Sequence, residues 1–129
     1  MLYDLHNVHM KLICAQMAGT YKVALESSIG VQQKIPEFYL SIPGSLGNYV
    51  QYIYQSPLFT RLRFGKWEDI LKEEVVDSLA YTPVLQHCAR GIAFATTNKL
   101  LLAVAELEMM KKKITDPSLK DPLTHVHAD

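Results

Sequence analysis

The sequence lacks the features that mark most membrane proteins and nucleic-acid-binding proteins. No apolar stretch reaches the roughly 18 residues that a membrane-spanning helix needs, and the first residues do not follow the basic-then-apolar order of a signal peptide. Basic and acidic residues balance at 13 each, so no overall positive field attracts nucleic acid or an anionic membrane. We therefore expect a cytoplasmic protein with no nucleic-acid partner and no membrane partner.

Motifs for catalysis are missing as well. The chain has no Gly-x-Ser-x-Gly elbow, no phosphate-binding loop and no His-Glu-x-x-His helix. Cys88 directly follows His87, but neighbouring residues on a helix point about 100° apart and rarely meet as a catalytic pair. The sequence therefore predicts a protein that is not an enzyme and needs no cofactor.

Cysteine is scarce and is not arranged for metal or redox chemistry. Cys14 and Cys88 are the two cysteines, and neither belongs to a Cys-x-x-Cys pair. Both stand inside apolar runs with helical spacing, where a free cysteine behaves as a small apolar core residue. We expect both thiols to be reduced, buried and structural, as in an intracellular protein.

What the sequence does contain is a turn pattern that occurs three times. A turn residue is followed by an aromatic residue or leucine and then by a new apolar run, and the turn residues are Gly19, Gly65 and Asn98. The intervals between them are 46 and 33 residues, and the second is close to the period of about 34 that marks stacked helix pairs. Three helix hairpins are therefore predicted.

Apolar spacing predicts helices throughout and no sheet. The expected helices cover residues 2–17, 21–31, 48–63, 66–76, 83–97 and 99–113, which gives hairpins at about 2–31, 48–76 and 83–113 within a domain of residues 1–113. Prolines and glycines make residues 32–47 a loop insertion, and residues 114–129 form a tail. Pro57 should kink the third helix or restart it with Ser56 as a cap. Thr82 should cap the helix that begins at Pro83.

The third hairpin resembles the tetratricopeptide repeat family, whose helix pairs carry a glycine and an aromatic residue on the first helix and an alanine on the second. The residues that carry the resemblance are His87-Cys88-Ala89-Arg90-Gly91-Ile92-Ala93-Phe94 and Ala103. The first unit keeps Ala24 but has Leu12 in place of glycine, and the second keeps Trp67 but has Leu58 in place of glycine and Ile70 in place of alanine. Three segments are further similar to longer uncharacterised bacterial proteins of this family, namely residues 6–9, 63–71 and 87–91.

The resemblance implies a fold and a function together. The fold would be an all-α stack of about three antiparallel helix hairpins with a right-handed superhelix. The function would be that of a non-catalytic scaffold that binds a protein or peptide in a concave groove, and the chain would be a fragment of a longer array. Another possible function is that this chain only joins neighbouring repeats within a longer protein.

Five residues are candidates for lining such a groove: His6, His9, Tyr52, His87 and Arg90. Arg90 with His87 suits a peptide carboxylate, because a guanidinium binds it through two parallel hydrogen bonds, although Arg90 could instead pair with an acidic residue of the adjacent helix. Tyr52 belongs to a tyrosine-rich and glutamine-rich run, residues 49–55, that offers contact area with polar tips.

A metal site is the alternative function. His6 and His9 are three residues apart on a helix, so their imidazoles share a face and suit zinc or nickel. A third ligand would have to come from Asp4, His87 or Cys88.

The final helix has more apolar positions than one neighbouring helix can cover, Leu101 and Met109 among them. We expect these two residues to take part in self-association, as a two-fold homodimer through the C-terminal helix. The single tryptophan, Trp67, should be buried between the second and third hairpins.

Overall fold

The computed structural model describes residues 2–120, with side chains from residue 3 to residue 119. Between these bounds the chain forms seven α-helices and no β-strand: α1 (Leu2–Met17), α2 (Tyr21–Gln33), α3 (Ser45–Tyr54), α4 (Ser56–Arg63), α5 (Trp67–Lys72), α6 (Thr82–Thr96) and α7 (Leu100–Lys113). Short 3-10 segments cover Glu37–Ser41 and Pro117–Lys120. The prediction of an all-α fold is confirmed. The predicted tail from residue 121 onward lies outside the described residues.

The three repeated turns share one backbone geometry. Gly19, Gly65 and Asn98 have φ angles of 74°, 67° and 63°, in the left-handed region that favours glycine and tolerates asparagine. After each turn residue, the next amide donates to the carbonyl five residues earlier, at 3.1, 2.9 and 2.8 Å. The turn residue's own amide donates to the carbonyl three residues earlier. This pair of bonds ends α1, α4 and α6 in the same way and turns the chain into the next helix.

The helices pack in the order of the chain. α1 packs against α2, α2 against α4, α4 against α5, α5 against α6, and α6 against α7. Three helix pairs joined by tight turns therefore follow one another, each in contact with the next. The right-handed superhelix of the tetratricopeptide repeat family stays a prediction.

Two clusters of buried side chains form the core. The first consists of Leu12, Ala15, Ala24 and Val31 between α1 and α2, and the second of Leu58, Ile70, Ala89 and Ala93 between α4, α5 and α6. Trp67 packs against the second cluster but is only half-buried, because it begins α5 and its ring covers the turn at Gly65. Trp67 therefore packs between the second and third hairpins as predicted, but it is half-buried where the prediction had it buried.

Several predicted helix ends differ from the structure. The helix predicted over residues 66–76 ends already at Lys72, and the one predicted over residues 48–63 begins at Ser45. The latter restarts at Pro57, as predicted, and is thereby divided into α3 and α4. Ser56 does not cap α4, because its hydroxyl donates 2.6 Å to the carbonyl of Ile53. Thr82 does not cap α6 either, because it lies inside the helix and its hydroxyl donates to Gln51 at 3.3 Å.

The two cysteines are free thiols, as expected, but the prediction that they are buried is wrong. Cys14 and Cys88 are both exposed free thiols. Cys14 stands one residue before the buried Ala15, and Cys88 one residue before the buried Ala89. A step of one residue turns a helical side chain by about 100°, which moves it off the buried stripe.

Gln51 ties the second and third hairpins together. Its side chain is 3% exposed, and its amide nitrogen donates 2.9 Å to the carbonyl of Leu40. Its amide oxygen accepts from the backbone amides of Tyr81 at 2.9 Å and Thr82 at 3.0 Å. One side chain therefore joins α3, the 3-10 segment before it and the start of α6.

Candidate functional site

His87 and Arg90 lie together on α6, and one carboxylate of α7 binds both. His87 Nδ1 is 2.6 Å from Glu106 Oε2, and Arg90 Nε donates 2.9 Å to Glu106 Oε1. Arg90 Nη1 also donates 3.1 Å to the carbonyl of Leu71, at the end of α5. The site therefore fastens α7 and α5 to α6.

These distances show which groups of the chain bind His87 and Arg90. Arg90 pairs with Glu106, an acidic residue of the adjacent helix, and not with a carboxylate from outside the chain. His87 is only 6% exposed. Its Nε2 is buried and has no hydrogen-bond partner among the residues described. His87 and Arg90 are arranged here to hold two helices together.

The two histidines of α1 differ in exposure. His6 is exposed and His9 is half-buried. Within residues 3–119, no three side chains of the metal-ligating kinds come close enough to share an ion, so none of Asp4, His87 and Cys88 completes a site with the two histidines. The structure therefore brings at most two imidazoles together at this end of α1.

The tyrosine-rich run is split between the surface and the core. Tyr52 is 47% exposed, and its ring contacts that of Phe59 with centroids 5.1 Å apart. Tyr49 is exposed to a similar extent, whereas Gln51 and Gln55 are buried. The outer surface of α3 is therefore aromatic, and the glutamines that the sequence analysis placed beside the tyrosines serve the core instead.

A cavity of about 300 Å³ lies beside this aromatic surface. It is bounded by the start of α1, by the chain that follows α2 and by α3. The residues that line it are Leu5, Lys34, Ile35, Pro36, Tyr39, Leu46, Tyr49, Val50 and Ile53. Its wall is therefore almost entirely apolar.

The helix α7 presents an unusual surface, because none of its residues is buried. It packs against α6, and the other sides of the helix carry exposed apolar residues. Leu101 is 89% exposed and Met109 is 39% exposed. The others are Leu100, Leu102, Val104 and Leu107. We call these six residues the α7 apolar surface.

One carboxyl group near α4 and α5, that of Glu73, has a shifted pKa. Glu73 pairs with Arg61. Burial raises the pKa of the Glu73 carboxyl more than the Arg61 guanidinium lowers it, and the nearby Asp69 raises it further. Glu73 and Arg61 therefore form an ion pair at the edge of the core.

Comparison with known proteins identifies no family for this chain. No family model matches the chain, and neither a curated protein nor a solved structure matches it significantly. The resemblance to tetratricopeptide repeats therefore stays a prediction. From Leu2 to Lys120, no helix has both the length and the apolar character that crossing a membrane requires.

Two parts of these sites were missed by the sequence analysis. Glu106 was not singled out, although it lies sixteen residues after Arg90, across the turn at Asn98, where a hairpin brings helix positions opposite each other. The cavity was also missed. The predicted loop insertion contains a 3-10 segment, and Tyr39 of that segment lines the cavity together with residues of α1 and α3. No local spacing rule signals such a meeting.

Proposed function

We propose that this chain is a non-catalytic scaffold of tetratricopeptide-like helix hairpins that binds another protein through the α7 apolar surface. The observation that supports the proposal is that α7 buries none of its own residues, although six large apolar side chains lie on it. Water contact of this much apolar surface is unfavourable, and contiguous exposed apolar patches typically mark interaction sites. In a longer array the next hairpin would cover the same surface.

For this chain by itself, we propose that the partner is a second copy. A two-fold axis lets one surface meet itself, so the α7 apolar surface can meet the same surface of a second copy. Leu101 stands five residues before Glu106, about 140° around the helix from it, so contact at Leu101 leaves the ion pairs to α6 in place, whereas Met109 stands one turn after Glu106 on the neighbouring side. Lys111–Lys113 follow at the end of the helix and leave a charged rim.

The internal contacts of α6 and α7 support a role as a rigid platform. Glu106 holds the two helices through both His87 and Arg90, at 2.6 and 2.9 Å. Gly91 faces α7 directly, since a Cβ at that position would make an ordinary contact with the Cβ of Glu106 at 3.6 Å. A binding surface on a fixed helix loses less conformational freedom on association than one on a loop.

Sedimentation equilibrium at micromolar concentration tests the proposal. We expect the wild-type protein to sediment with the mass of two chains, and Leu101→Glu and Met109→Glu to sediment as single chains with unchanged helix content. Val23→Glu is the matched control, because it changes an exposed apolar residue of α2 to the same charged residue. A wild-type protein that sediments as one chain, or Glu variants that associate as the wild type does, would contradict the proposal.

A further inference from the structure

The cavity beside α3 has an apolar body with one charged side chain on its wall. Lys34 is the sole charged residue among those that line it. The cavity volume of about 300 Å³ is at the lower end of the range of about 300–1,000 Å³ that small-molecule sites occupy. Ile35 and Ile53, which line it, also pack against the first core cluster. Part of its wall is therefore fixed by the core.

Lys34 has no acidic partner in the described part of the chain. Its side chain is half-buried, and none of the ion pairs formed within residues 3–119 includes it. The acidic residues nearest in sequence to the cavity walls, Asp4 and Glu37, are exposed and do not pair with it. A lysine stem lies along apolar surface while its ammonium stays toward water. The cavity therefore combines an apolar interior with an unpaired positive charge.

We propose that this cavity binds an aliphatic monocarboxylate, with the alkyl chain inside and the carboxylate on the ammonium of Lys34. Taking about 30 Å³ for each methylene-sized group, as for a water molecule in the liquid, a cavity of about 300 Å³ holds roughly ten carbons. Tyr39 and Tyr49 also line the cavity, and a tyrosine hydroxyl is a further hydrogen-bond donor that a carboxylate can use.

The charge of the head group sets the selectivity. A carboxylate paired with an ammonium gains a charge-assisted hydrogen bond, which is stronger than a neutral one. A quaternary ammonium on the same alkyl chain would place two positive charges together instead. The cavity should therefore discriminate between two ligands with the same chain and opposite charges.

Calorimetric titration with sodium decanoate tests the proposal, and decyltrimethylammonium serves as the ligand of opposite charge. We expect saturable one-to-one binding of decanoate, weakened about tenfold in Lys34→Met, which is the change that one lost charged contact produces. Lys22→Met, at an exposed position of α2, should leave the affinity unchanged. The ammonium ligand should bind at least tenfold more weakly than decanoate.

Methyl NMR spectra locate the ligand. Decanoate should shift the methyl signals of Ile35 and Ile53 in the cavity and leave that of Leu101 on the α7 apolar surface unshifted. Val50→Trp should fill the cavity and abolish binding. If that variant does not fold, Leu46→Asp, at an exposed position of the rim, should weaken binding by repelling the carboxylate.

Three results would overturn the proposal. The first is the absence of saturable binding at millimolar decanoate. The second is equal affinity for the two ligands, or an affinity for decanoate that Lys34→Met does not change. The third is a shift at Leu101 in place of Ile35 and Ile53, which would show that decanoate covers the α7 apolar surface and does not enter the cavity.

Discussion

Replacement of Gln51 by leucine should be strongly destabilising, although the two side chains are similar in size. The change removes the partner of three buried polar groups: the carbonyl of Leu40, and the amide and hydroxyl of Thr82. Thr82 is fully buried, so water does not replace the lost bonds. Each buried group left without a partner costs about 1–3 kcal/mol. Since leucine offsets part of this through its own apolar burial, we expect Gln51→Leu to lower the free energy of unfolding by about 3–5 kcal/mol.

Urea unfolding measures this loss through two signals. Far-ultraviolet circular dichroism follows all helices, and the fluorescence of Trp67, the single tryptophan, follows the second hairpin. The control is Gln33→Leu at the exposed end of α2, which should change stability by less than about 0.5 kcal/mol. A loss below 1 kcal/mol for Gln51→Leu would refute the conclusion that this side chain joins the hairpins.

Three further predictions concern other parts of the fold. Gly47→Ala should destabilise by about 1–3 kcal/mol in urea unfolding, because the new Cβ would lie 1.6 Å from the carbonyl oxygen of Ile42; a stabilised variant would contradict this close approach. Glu106→Gln should cost about 1.5–3 kcal/mol, whereas Glu108→Gln, at an exposed position of α7, should cost little. Equal losses would contradict the role of the Glu106 carboxylate in joining α6 and α7. Burial raises the pKa of Glu73 in the folded state, so its contribution to stability is present in acid and is lost as pH rises through that pKa. We therefore expect the free energy of unfolding of the wild type, minus that of Glu73→Gln, to fall between pH 4 and pH 7. A difference that rises over this range would contradict a raised pKa of Glu73.

The sequence predicted the helix pairs because their signals are local. Gly19, Gly65 and Asn98 are residue types that accept positive φ, and the structure places all three there. Apolar spacing identified helical segments throughout, with errors mainly at their ends. Ser56 and Thr82 show why those ends were wrong, because their hydroxyls bond to Ile53 and Gln51 instead of capping a helix.

The sites were harder to predict because they depend on contacts between distant elements. His87 and Arg90 were predicted as site residues without a fixed partner, and in the structure their partner is Glu106 of the next helix. Gln51 was expected near a binding surface and is buried, because α3 turns it toward the start of α6. The exposure of Leu101 follows more directly from the sequence, since α7 has apolar residues on more sides than one neighbour covers.

The most direct test of the proposed α7 interface is the distance between two nitroxide labels in solution, measured by pulsed electron paramagnetic resonance. One label is placed mid-helix through Glu108→Cys, in a background of Cys14→Ser and Cys88→Ser, which removes the exposed native thiols. Because the axes of packed helices lie about 8–10 Å apart, we predict a short interchain distance for this label and a much longer one for a control label at Lys22 on α2. We propose that two copies of this chain meet through α7. This proposal would be contradicted if the labels at Glu108→Cys showed no coupling between chains, or if labels at Lys22 showed equally strong coupling.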